Sequence, residues 1–176
     1  MKKYLTLALL SGFVLYSGNA NAEPTNEAQG HASATIVADL TVEEKVPLEF
    51  GAMLKGAGDV TISTAGVRDG DNDAKLVTDN NHTPAAGKFE IKGENSRAIK
   101  VSLTGLNSLK NGEATIPVTN VLVNFGGGDM AASEGMATAT GTEGTLNMFV
   151  GGTITVGDDV TPGHYEGTYT VTVNYQ

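Results

Sequence analysis

The chain of 176 residues contains no cysteine and no tryptophan. Without thiols there is no disulfide, no thiolate metal site and no cysteine nucleophile, so packing and strand pairing alone must hold the fold. Basic residues are scarce: 11 Lys and Arg stand against 20 Asp and Glu, a formal net charge of −9. That balance argues against a nucleic-acid partner and against adsorption to anionic lipid, and favours solubility. Beyond the N-terminus no apolar run is long enough to span a bilayer. The sequence also lacks Gly-x-Ser-x-Gly and any glycine-rich loop leading from a strand into a helix. Gly126-Gly127-Gly128 precedes no helix that would present backbone amides to phosphate, and reads as a mobile hairpin tip.

Fragments of chemical motifs fail on inspection. Asp69-Gly70-Asp71-Asn72-Asp73 opens like a calcium loop, in which alternate carboxylates converge on a hard cation. The match ends there, because Ala74 stands where the sharp-turn glycine is needed and Asn80 where the bidentate glutamate belongs. A solvated acidic turn is the expectation. His31, His82 and His164 are scattered and lack the paired spacing of a zinc site. Asn81-His82-Thr83 matches a glycosylation acceptor by chance, and no two carboxylates are placed together for acid/base work. The residues therefore predict no catalytic site, no metal, no cofactor and no enzymatic activity.

What is present begins with an export signal. Lys2-Lys3 forms a basic head, Leu5 to Tyr16 is mostly apolar, and Ala20-Asn21-Ala22 matches the small-x-small cleavage site of signal peptidase. The apolar run is short for a membrane span. Residues 1–22 are expected to be removed after Ala22, taking two lysines with them and leaving the rest more acidic by two charges. The exported remainder is expected in the periplasm and then at the cell surface or outside the cell. Residues 23–31 read as a flexible leader and 32–176 as one domain, enough chain for one continuous core.

The 23 glycines and the Thr and Val content suit an all-β protein with many turns. Ala32, Ala34, Ile36, Ala38, Leu40 and Val42 share one face of an alternating segment. Val46 to Phe50 carries a proline, as an edge strand or strand start tolerates. Gly58 to Ser63 reads as a strand, Asp69 to Asp73 as a loop, Lys75 to Thr78 as a brief strand and Asp79 to Gly87 as a polar loop. Lys88 to Lys92 and Ala98 to Leu103 alternate on either side of a turn and read as a hairpin. Ala114 to Phe125 is a long strand with a bulge at Asn120, and Met130 to Gly144 is small and flexible. Leu146, Met148, Val150, Ile154 and Val156 share one face of a strand kinked at Gly151-Gly152. Strands at this spacing with Gly/Pro turns predict a β-sandwich without helices.

The most regular stretch comes last. From Tyr165 to Gln176, Tyr165, Gly167, Tyr169, Val171, Val173 and Tyr175 fall on one face, and Glu166, Thr168, Thr170, Thr172 and Asn174 on the other. Such a strand closes a sheet, or is gripped by a partner.

Ala34-Thr35-Ile36-Val37, Leu48-Glu49-Phe50-Gly51, Gly58 to Ile62, Gly151 to Val156 and Pro162-Gly163-His164-Tyr165-Glu166-Gly167-Thr168-Tyr169 through Val173 together resemble a family of secreted Gram-negative proteins of unknown function. In outline they are similar to archaic chaperone-usher pilins and to spore-coat-U-like domains. The resemblance implies an immunoglobulin-like, pilin-like sandwich lacking its last strand. A periplasmic chaperone, and then the N-terminal arm of the next subunit, would fill the gap by β-augmentation, the outer-membrane usher assisting. Archaic pilins commonly carry a disulfide near the first core strand, which this chain cannot form. Two functions follow: a structural subunit of a fimbria-like surface fibre, with Ala32 to Val42 as donor strand and copies of itself or related subunits as partners, or a self-contained secreted or periplasmic sandwich with an adhesive or ligand-binding role. In the second, Ala32 to Val42 is simply the domain's own first strand.

Overall fold

The structure is a computed structural model that describes residues 26–131, 136–138 and 144–176. The signal-cleavage residues Ala20 and Ala22 lie outside the described residues. Contacts divide the chain into an N-terminal unit ending at Thr35 and a compact unit of Ile36–Gln176. Residues 26–35 form no strand or helix.

The compact unit is an all-β sandwich of two antiparallel sheets. Its strands are β1 (Thr41–Val46), β2 (Gly58–Ile62), β3 (Arg68–Gly70), β4 (Gly87–Lys92), β5 (Ala98–Thr104), β6 (Ser108–Asn111), β7 (Ala114–Asn124), β8 (Asp129–Ala131), β9 (Met136–Thr138), β10 (Thr145–Val156) and β11 (Thr170–Tyr175). A single 3-10 turn, Asp73–Lys75, is the helical element among the described residues. The larger sheet centres on β10, which pairs β4 over Thr145–Val150, β2 over Gly152–Val156, and β7 on its other side. β1 is the edge strand beyond β4. The smaller sheet runs β11-β5-β9.

Alternation explains the core. Ile99, Val101 and Leu103 of β5 face Phe89 and Ile91 of β4 and Leu146, Met148 and Val150 of β10 in one buried cluster, while Lys100, Ser102 and Thr104 point away. The kink expected at Gly151-Gly152 is where β10 changes partner from β4 to β2. A Cβ on Gly151 would lie 2.5 Å from the Ile62 carbonyl oxygen and 2.9 Å from the Ser63 carbonyl carbon, so only glycine lets the backbones approach. The bulge at Asn120 is present as well. Asn120 has φ 46, and two β7 residues stand against one of β10 between the Leu122↔Gly151 and Thr119↔Thr153 pairs.

Several expectations are corrected. No strand spans Ala32 to Val42: residues 26–40 have no regular structure, and the strand begins at Thr41. There Val42 pairs with Ile91, and β1 ends at Val46, before Pro47. Lys88–Lys92 and Ala98–Leu103 do not form a hairpin, because β4 joins the larger sheet and β5 the smaller. Period-2 alternation tells a strand which face to bury but not which edge to pair. Asp69 lies within β3 rather than in a loop. The brief strand expected at Lys75–Thr78 is the end of the 3-10 turn followed by a lone Met53↔Leu76 bridge. Within Met130 to Gly144 the described residues include β strands, Asp129–Ala131 and Met136–Thr138. The terminal strand is also divided. β11 starts only at Thr170, and the preceding residues bridge the other sheet through Lys110↔Glu166.

Candidate functional site

The division of the terminal segment shapes a concavity in the compact unit. Residues 165–169 lean toward β6 in the larger sheet, and 170–175 pair with β5 in the smaller. Gly167 permits the first of these contacts, since a Cβ there would sit 2.8 Å from the Ser108 carbonyl oxygen and 2.9 Å from a Leu109 methyl. Glu166 and Lys110 exchange backbone hydrogen bonds of 3.0 and 2.7 Å, and the Tyr165 hydroxyl donates to the Thr161 carbonyl at 2.8 Å. These contacts fix residues 160–169 as one bank of a cleft of about 740 Å³.

Residues 48–55 form the opposite bank, and their outward side is already paired. Glu49 exchanges hydrogen bonds with Ala85, the Leu54 amide donates to Lys75 and the Ala52 carbonyl accepts from Val77. The Arg68 guanidinium ties the bank from behind, donating to the carbonyls of Ala52 at 3.1 Å and Phe50 at 3.4 Å. Gly51, at φ 79, leaves room for that guanidinium and for Pro84. The floor is core rather than surface: Phe50, Leu106, Ile116, Ile154 and Val156 all line the cleft and all are buried. Beyond the cleft, β11 pairs β5 on one edge and has no strand on the other among the described residues.

The sequence-predicted partner-facing residues divide accordingly. Tyr165, Gly167 and Tyr169 line the cleft, while Val171, Val173 and Tyr175 are partly buried against the core. Tyr175 seals the far end of the seam. Its hydroxyl accepts from the Glu94 amide at 2.6 Å and donates to the Ala38 carbonyl at 2.9 Å, in room left by Gly93. Tyr169 packs edge-on against Phe89, with ring centroids 5.7 Å apart.

The candidate donor residues separate too. Val42 is committed to β1, Leu40 packs against the core, and Ala38 is held by Tyr175. Ile36 is 95 % exposed, and Ala32 and Ala34 lie in the stretch without regular structure. Sequence reading missed that His82 and His164 meet at this cleft, with ring centroids 5.3 Å apart and Glu166 3.2 Å from His164. No spacing signal connects residues so far apart in the chain. The Asp69–Asp73 carboxylates do not converge: Asp71 instead accepts from the Asp59 amide at 3.1 Å. Among the described residues no group of three or more His, Asp or Glu is placed to hold a metal ion.

This geometry defines an antiparallel β-sandwich with an apolar cleft opening onto its core beside an edge strand. The chain belongs to the family described as a domain of unknown function (DUF4402), which matches residues 40–175. Comparison with curated proteins finds no match. Among solved structures the chain is similar to the P pilus rod subunit PapA, at 15% identity and a TM-score of 0.37, over 69% of this chain and 100% of that one.

Proposed function

We propose that this protein is an exported, non-enzymatic structural subunit of a surface fibre, assembled when an extended N-terminal segment of one copy enters the cleft of the next. The observation that carries the reading is the cleft itself, which opens onto core side chains between a bank at residues 48–55, paired to Lys75, Val77 and Ala85, and a bank at residues 160–169, bridged to Lys110 at Glu166. An added strand would bury that floor and gain main-chain hydrogen bonds. The same chain has a segment with strand alternation and no strand to join. With Val42 and Leu40 committed elsewhere, Ala32, Ala34 and Ile36 are the side chains available for donation. The arm's root at Ala38 is held by Tyr175, six residues along the strand from the cleft at Tyr169, or roughly 20 Å. Donor root and acceptor at opposite ends suit a head-to-tail, open-ended assembly. A periplasmic chaperone would occupy the same cleft in transit, with an outer-membrane usher assisting assembly. No helix among the described residues is long and apolar enough to cross a membrane.

Ile36→Asp tests this cleanly because the side chain is exposed within its own copy. The substitution should leave the melting temperature of the folded monomer unchanged while abolishing the concentration-dependent, SDS-resistant oligomers formed by the unaltered chain, since a carboxylate in the apolar cleft costs about 2–5 kcal/mol. An unaltered chain that stays monomeric at high concentration after refolding would leave the cleft to a small ligand, for which its volume is suitable.

A further inference from the structure

Tyr169 stands on the bank of the cleft, and its hydroxyl is shielded from solvent yet has no hydrogen-bond partner among the described residues. The phenol tip occupies the niche left by Gly87, where a Cβ would lie 2.7 Å from the hydroxyl, 3.3 Å from Val150 and 3.4 Å from Leu48. Leu48 also lines the cleft, so one residue that closes the niche is itself a wall of the space an added strand would enter. Burial, with the charge of Glu44 adding to it, pushes the phenol well above its ordinary range, and it remains a donor at neutral pH. Buried hydroxyls without partners are rare in folded proteins and destabilise the state that contains them.

Resting on the strand-addition reading above, we infer that Tyr169 is a positioning residue for the incoming strand: its hydroxyl, unpartnered and shut into the Gly87 niche in the empty subunit, turns out toward the cleft as the strand enters and donates to a main-chain carbonyl of the Ala32–Ala38 segment of a second copy. A donor at one fixed point on the bank would set the register of a strand whose alternating face is composed largely of alanine, since such a face slides easily. The bond exists only in the assembled state, so removing the hydroxyl should have opposite effects on the empty and the filled cleft.

The test uses the full chain, purified as the cell delivers it and carrying Ile36→Asp to keep the cleft empty, with and without Tyr169→Phe. A synthetic peptide of residues 32–42 is the probe. Tyr169→Phe should raise the melting temperature of the empty protein by about 3 °C and weaken peptide binding about five- to tenfold. Equal peptide affinity for both proteins, or a lower melting temperature for the phenylalanine variant without peptide, overturns the role assigned to Tyr169 while leaving strand addition intact. Absence of peptide binding to either protein overturns strand addition and this inference with it.

Discussion

β10 and β11 are both alternating apolar strands, and their fates differ. Met148 and Val150 of β10 are fully buried, and that strand is paired along both edges. Val171, Val173 and Tyr175 of β11 are only half-buried, and one edge has no strand among the described residues. A strand's contribution thus depends less on its own pattern than on how many neighbours it has. The centre of the larger sheet is committed to stability, while the edge of the smaller one has no strand beside it among the described residues.

Mutations matched across the two strands measure this difference. Met148→Ala should cost about 2–5 kcal/mol, the range for emptying a fully enclosed core site, read as a fall in the midpoint of denaturant unfolding. Gly151→Ala should follow at about 1–3 kcal/mol, because its methyl would press on the Ile62 and Ser63 backbone where β10 changes partner. Circular dichroism should still report strand. Val173→Ala should cost only about 0.5–1.5 kcal/mol, since water already reaches that face. Equal losses at Met148 and Val173 would break the comparison.

The smallest effect concerns a tie between loops beside β10. The Asp129 carboxylate accepts from Thr64 at 2.5 Å and from Asn124 at 2.9 Å, and these hydrogen bonds, Thr64 first, lower its pKa. A carboxyl whose folded pKa is depressed contributes stability that is fully present above its unfolded value, near 4, and lost as pH falls through the lower folded value. Asp129→Asn should lower the melting temperature slightly near neutrality and flatten its pH dependence below about pH 4.

Much of the fold was legible in residues. Alternation placed Ile99, Val101 and Leu103 inward, identified the long strands at β7 and β10, and located the bulge at Asn120 and the break at Gly151-Gly152. The errors share one cause. Ala32–Leu40 has a strand's pattern without a strand's partner among the described residues, and β4 and β5 satisfy a hairpin's pattern while joining different sheets. Of the candidate site, the pattern singled out the segment carrying Tyr165, Gly167 and Tyr169, which lines the cleft, whereas the bank at residues 48–55 and the meeting of His82 with His164 gave no local signal.

The amino-acid order by itself determined which side chains each strand turns inward, because successive residues point to opposite faces whatever the strand pairs with. It also determined that no disulfide holds the sheets, and that glycine stands wherever two backbones must touch, as at Gly151 and Gly167. Only the tertiary structure decided which strands are central and which are edges, where the last segment leaves one sheet for the other, and that the gap thus formed opens onto the core. Those outcomes depend on pairings between residues far apart in sequence, and backbone hydrogen bonds are the same for every residue type that can make them.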